Sequence, residues 1–167
     1  MAGSSTADAT QRRLRSAGEP DVDFVLAVEA DPDTAPFLAE ATREYHVGLM
    51  ADPNVDHFIV EADGRPVGFV MVESDARNRA VNLRRLAVAE KGRGHGRAAL
   101  RLTLRWAFEE RGAHRVYLDV KPHNERARAL YRSEGFREEG LMRDALLFES
   151  DFESLVLMSI LRPEWKS

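Results

Sequence analysis

Between positions 86 and 100 the chain reads LAVAEKGRGHGRAAL: an apolar run of strand character, a basic glycine turn, then a helix-forming stretch. This junction constrains the fold more than any other segment, because it fixes how a sheet hands the chain to a helix. A helix start leaves free N–H groups, and the aligned peptide dipoles make that end partly positive. Glycines at 92, 94 and 96 remove side chains that would keep an anion away from those groups. Lys91, Arg93 and Arg97 add formal charge. A hydrogen bond to a charged group contributes about 1.5–3 kcal/mol, so several together suit a pyrophosphate. The competing reading is an ordinary tight turn carrying surface arginines, and it leaves the coincidence of glycines and bases unexplained.

Around that junction the apolar period switches between helix and strand. Residues 12–17 read as a short first strand. Residues 22–30 and 37–50 carry helical spacing, parted by the breaker DPDTAP at 31–36. HFIVEA at 57–62 and PVGFVMVE at 66–73 are strands joined by Asp63-Gly64, a hairpin signal, and AVNLRRLAVA at 80–89 is a third long strand. The helix opening at Gly94 or His95 runs to Arg111 with Gly112 as its stop. It is apolar on most sides, which predicts a sandwiched helix. RVYLDVK at 115–121 is a strand, Asn124 caps the next helix and Gly135 closes it. A strand from Phe136 and the almost continuously apolar FESLVLMSIL at 152–161 complete the order, the latter expected inside a sheet. The order β–α–α–β–β–β–α–β–α–β–β predicts an α/β fold, a mixed sheet with helices on its faces. A single domain is expected over 11–167, after a small, polar, disordered lead-in at 1–10.

Composition narrows the function. A net charge of −4 argues against a general nucleic-acid binder, which needs a basic face. The absence of cysteine excludes disulfides, thiolate metal sites and cysteine nucleophiles. No apolar run approaches the ~20 residues that span a bilayer, and the N-terminus lacks the apolar core of a secretory signal. These features point to the cytoplasm. The five histidines, at 46, 57, 95, 114 and 123, form no i, i+4 pair, so no metal site is expected. Acids crowd residues 19–63 and bases crowd 84–105; the first part would attract a cation and the second an anion, unless both are merely solvated helix faces.

Two phosphate ligands compete for the turn. Gly94-x-Gly96-x-x-Ala99 satisfies G-x-G-x-x-G/A, and Asp119 lies 20 residues beyond Ala99, where a ribose-binding acid is sought. Against an NAD(P)-binding oxidoreductase stand the loop at 89–93 before the first fingerprint glycine, the hairpin upstream, and the 48 residues left after Asp119. The other candidate covers more of the chain. Lys91-x-x-Gly94-x-Gly96 resembles the [Q/R]-x-x-G-x-[G/A] signature of the GCN5-related N-acetyltransferase (GNAT) family, with lysine in place of glutamine or arginine. Asn124-x-x-Ala127-x-x-Leu130-Tyr131-x-x-x-Gly135-Phe136 resembles that family's second block at every defined position. The segment from Gly135 to Gly140, with Arg143 and the last strand, looks like the branch of ribosomal-protein and spermidine N-acetyltransferases.

The resemblance implies a sheet of about seven strands with about four helices, strands four and five splayed, and transfer of acetyl from acetyl-CoA to a primary amine by direct attack on the thioester. It implies a pyrophosphate cradle at Lys91, Arg93, Gly94, His95, Gly96, Arg97 and Ala98. The pantetheine arm would pair with Leu86, Ala87 and Val88 on the fourth strand, and Asn124 would bond it from the other side, a role it can share with capping. Tyr131 falls where the family's general-acid tyrosine sits; a phenol of pKa ~10 is protonated at neutral pH. Asp119 matches a glutamate of the ribosomal-protein branch and is the base candidate, acting through water, with Glu44 and His46 as weaker ones. The acceptor, a small-molecule amine or a protein N-terminus, would lie between residues 24–50 and a loop at 143–151. A homodimer is expected by analogy only. A non-catalytic acyl-CoA-binding module is the remaining alternative.

Overall fold

The computed structural model describes residues 10–167, so the disordered lead-in expected at 1–10 lies outside the described residues save for Thr10. Period-two alternation builds seven strands: β1 (Arg12–Ser16), β2 (Val55–Ala62), β3 (Arg65–Asp75), β4 (Ala80–Val88), β5 (Arg115–Val120), β6 (Arg137–Phe148) and β7 (Asp151–Leu161). They form one sheet in the order β1-β2-β3-β4-β5-β7-β6. All neighbours run antiparallel except β4 and β5, which are parallel. The apolar β7 lies between β5 and β6, as expected of a strand with no polar face. Asp63 and Gly64 turn the β2–β3 hairpin with φ of 49° and 78°, the left-handed pair that such a two-residue turn needs.

The alternation also divides the core. Phe58, Val60, Val70, Val72, Val81 and Leu83 pack on one face with Ala99, Leu100 and Leu104 of α3 (His95–Arg105). The intervening residues Ile59, Phe69 and Ala87 meet Val25 and Val28 of α1 (Val22–Glu29) on the other. Burying each such side chain stabilises the fold by about 1.5–3 kcal/mol. The remaining helices are α2 (Arg43–Met50) and α4 (Glu125–Ser133).

One departure from regular pairing makes the site. β4 and β5 pair only at Ala80–Arg115, Val81–Val116 and Asn82–Tyr117. Beyond Asn82, β4 stays on β3 as far as Val88–Gly68, while β5 follows β7 to Val120–Val156. The strands diverge into a V, and the β4 edge from Leu83 to Val88 faces the gap.

Three sequence expectations require correction. The helix expected over 37–50 begins only at Arg43, where Thr42 caps it by accepting a 3.2 Å bond from the Tyr45 amide. Leu38 is extended and the Ala39 carbonyl accepts from Arg85, so the stretch before Thr42 is a wall segment rather than helix. The helix after the glycine turn is regular only to Arg105; a wider π-type turn, Trp106–Glu110, precedes Gly112. The loop expected at 143–151 is mostly strand: β6 runs to Phe148, interrupted by a bulge between Met142 and Leu146 where the Asp144 amide donates to the Ser154 hydroxyl at 3.2 Å.

Candidate active site

The V between β4 and β5 opens into a cleft of about 890 Å³, within the ~300–1,000 Å³ usual for small-molecule and cofactor sites. Its floor is the free edge of β4, one wall is the start of α4 with residues 119–121, the other is the segment before α2, and the glycine turn closes one end. Leu86, Ala87, Val88, Lys91, Gly94, His95, Gly96, Arg97, Asp119, Asn124 and Tyr131 all line it. Arg93 and Ala98 do not.

At the glycine turn, Gly92 and Gly94 have φ of 79° and 76°, the left-handed region that glycine adopts without strain. Gly94 is the N-cap of α3, so the amides of His95, Gly96 and Arg97 have no carbonyl one turn earlier. The Ala98 amide does, donating to Gly94 O at 3.0 Å, so it is not a free donor. The three bases are already engaged. Lys91 Nζ donates to Thr34 Oγ1 at 2.6 Å and Val88 O at 2.7 Å, tying the turn to the opposite wall. Arg93 turns outward to Glu90 at 2.6 Å and borders a smaller cavity with Arg12 and His95. Arg97 is held by Glu134 and by Ser133 Oγ at 2.9 Å. The buried His95 ring accepts from Arg12 Nε at 3.2 Å through Nδ1; burial and then Arg12 lower its pKa. The turn therefore presents oriented backbone amides rather than unpaired side-chain charge.

Asn124 caps α4, its Oδ1 accepting from the Ala127 amide at 3.2 Å, and its Nδ2 donates to no other described group. Tyr131, one helical turn after Ala127, packs its ring 5.6 Å from Phe136. Burial, helped by the Asp119 charge, pushes its phenol up to about 12, so it carries its proton at neutral pH. Asp119 projects from β5 on the face opposite Leu118 and Val120. Desolvation by the cleft walls raises its carboxyl above the ordinary value, and Arg84 pulls it back down. Glu44 and His46 do not border the cleft; His46 is fully buried, 3.1 Å from Glu29.

Two cleft residues had not been singled out in the sequence. Arg84 sits at a β-bulge, because the register passes from Met71–Arg85 to Val72–Leu83 and leaves it unmatched. The signal was present: consecutive arginines in AVNLRRLAVA break the alternation of an otherwise regular strand. Lys121 is nearly inaccessible; its ammonium donates to Pro36 O at 2.9 Å, lies 2.9 Å from Glu153 and covers the Phe148 ring. Nothing in the local sequence marks it, since each partner is remote. Among the described residues no group of three His, Asp or Glu could hold a metal ion, and no helix is long and apolar enough to cross a membrane.

A nicotinamide site finds no support. The strand entering the glycine turn pairs antiparallel with β3 and touches a parallel neighbour at only three positions, unlike the parallel crossover sheet that a dinucleotide fingerprint serves. The comparisons with known proteins favour neither alternative. The chain is 29% identical over 163 residues to an N-alpha-acetyltransferase of Sulfurisphaera tokodaii, covering 88% of this chain and 91% of that one. It is 24% identical over 162 residues to the spermidine N(1)-acetyltransferase of Escherichia coli, covering 92% and 87%. Its fold superposes on the spermidine N-acetyltransferase from Vibrio cholerae in complex with CoA and spermine with a TM-score of 0.81, at 22% identity over 92% of this chain and 97% of that one. A family model, acetyltransferase (GNAT) family, matches residues 22–136. The chain therefore belongs to the GNAT family of acetyltransferases, with acetyl-CoA as the acetyl donor.

Proposed function

We propose that the cleft carries out N-acetylation of a primary amine with Tyr131 as general acid and Asp119 as base. The observation that carries this reading is that both side chains line one cleft whose far end presents the free amides of residues 95–97. The amides of His95, Gly96 and Arg97 hold the diphosphate. The open β4 edge at Leu86–Val88 takes the pantetheine arm as an added strand, and Asn124 Nδ2 donates to it from across the V. Acetyl-CoA supplies a thioester carbonyl open to attack. Asp119 accepts the proton that the ammonium must lose, through water, so that nitrogen has a lone pair. As the C–N bond forms and the C–S bond breaks, Tyr131 gives its proton to the departing sulfur, the acetylated nitrogen releases its second proton to solvent, and solvent reprotonates the phenol.

Release of CoA thiol over a panel of amines tests the reading. Coenzyme binding without turnover on any amine would leave only a binding module. The acceptor is a small-molecule amine or a protein N-terminus, and the setting is cytoplasmic. A homodimer would form at the open β6 edge, where Leu141 and Leu147 of β6 and the neighbouring Phe152 of β7 are exposed; sedimentation measures it.

A further inference from the structure

The chemistry of the acceptor follows from how charge is distributed at the end of the cleft away from the glycine turn. Three of the acids expected to steer a cation are engaged elsewhere. Glu29 is buried and accepts from Arg85 at 2.8 Å; Asp21 holds Arg15 at 2.9 Å; Asp23 holds Arg43. Asp33 and Glu90 flank the glycine turn instead.

The bulge in β4 brings a guanidinium into that end. In a regular strand Arg84 and Arg85 would point to opposite faces. The unmatched residue lets both lie on the α1–α2 side. Arg85 is buried there, bonded to Glu29 and to Ala39 O at 2.8 and 2.9 Å. Arg84 is part-exposed in the cleft, with only long contacts, 3.3 Å to Glu73 and 3.2 Å to the Tyr45 hydroxyl. A well-formed charged pair sits near 2.7–2.9 Å, and a guanidinium has five donors in a planar fork that matches a carboxylate. Arg84 Nε donates to no described group.

We propose that Arg84 binds a carboxylate on the acceptor, so that the preferred substrate is a primary amine bearing a carboxylate rather than a polyamine. This deepens the acetyltransferase reading and rests on it. The amine lies toward Asp119 and the carboxylate toward Arg84. A second cation on the acceptor would face the guanidinium. A free amino acid and an acidic residue near a peptide N-terminus both present this carboxylate.

The test compares kcat/KM for matched pairs: 5-aminopentanoate against pentylamine, and a short peptide with glutamate at its second position against its glutamine twin, with spermidine alongside. The expected preference for the carboxylate-bearing partner is about tenfold or more. Which pair shows it identifies the source. In Arg84→Gln the ratio within that pair should fall toward one, and Arg84→Glu should turn preference toward spermidine. Circular dichroism and acetyl-CoA calorimetry on each variant establish folding and coenzyme binding. Equal rates within both pairs, a wild-type preference for spermidine, or a ratio that survives Arg84→Gln would overturn the proposal. Coenzyme bound with no amine acetylated would remove the acetyl-transfer reading and this inference together, whereas turnover without carboxylate preference removes only the inference.

Discussion

In the proposed mechanism Tyr131 and Asp119 divide the proton traffic, and their environments bear on which does what. A phenol raised to about 12 keeps its proton at neutral pH, so its O–H is in place to hydrogen-bond a forming thiolate, while the raised value makes it a weaker acid than a free phenol. Tyr131→Phe keeps the ring against Phe136 and removes only the hydroxyl, so kcat should fall by roughly 10²–10⁴. Acetyl-CoA affinity measured by calorimetry should barely change. An unchanged kcat would take the acid role away from Tyr131. Asp119 works in the opposite sense. It is useful as a base only when ionised, so activity should fall as pH drops through its raised pKa. The kcat/KM profile of the wild type should therefore have an acidic limb, and Asp119→Asn should flatten it while lowering the plateau. A limb that persists in the variant belongs to another group.

The strand edge proposed to receive the coenzyme depends on a close approach between β3 and β4. A Cβ at Gly68 would meet Ala87 O at 2.5 Å and Val88 Cγ1 at 2.9 Å, distances that require the strands to part. Gly68→Ala should therefore lower the melting temperature and weaken acetyl-CoA binding together, by displacing Ala87 and Val88. Gly64→Ala, at an open hairpin turn on the far side of β3, should affect stability alone. Thermal denaturation and calorimetry on both variants separate the cases; equal coenzyme affinity in Gly68→Ala would mean that the β4 edge is not the binding strand. All the strands but β6 were readable in the sequence to within about two residues, because alternation is local and β7 had no polar face to place outside; β6 continues to Phe148, through the loop expected from Arg143. The cleft residues from Leu86 to Val88, the glycine turn, Asn124, Tyr131 and Asp119 were readable too, through motifs that are short and contiguous. What was not readable depends on remote partners. Leu38 and Ala41 fit a helical stripe, yet Arg85, 46 residues from Ala39, anchors that segment to the sheet. Lys91 reads as a free cation at the turn until Thr34 is seen to accept from it. The bulge at Arg84 had a local trace, but its consequence required the position of α1.

The α1–α2 layer is joined to the sheet by a buried polar chain that ties fold stability to pH. His46 lies between Glu29 at 3.1 Å and His57 at 3.4 Å, and Glu29 in turn accepts from Arg85 at 2.8 Å. His57 is buried, and its Nδ1 has no partner among the described residues. Burial first, then the neighbouring His46 and Arg84, depress its pKa to about 4. An unfolded histidine titrates near ~6.5, so between these values the unfolded chain binds the extra proton and the folded one does not. The stability is thus fully present above the unfolded pKa and is lost as pH falls toward about 4. One group displaced this far accounts for at most roughly 3 kcal/mol. Urea denaturation at pH 7, 6, 5 and 4 should show this decline in the wild type. His57→Gln should flatten the histidine part of the slope, whatever it does to stability at pH 7. A slope unaltered by the substitution would assign acid lability to the carboxylates of Glu139, Asp21 and Glu61, which arginines hold below their ordinary values. Because Glu29 and Arg85 belong to the same chain of contacts as the cleft wall at Ala39, loosening this layer should open the acceptor side before the glycine turn. On acidification, KM for the amine should therefore rise before affinity for acetyl-CoA falls.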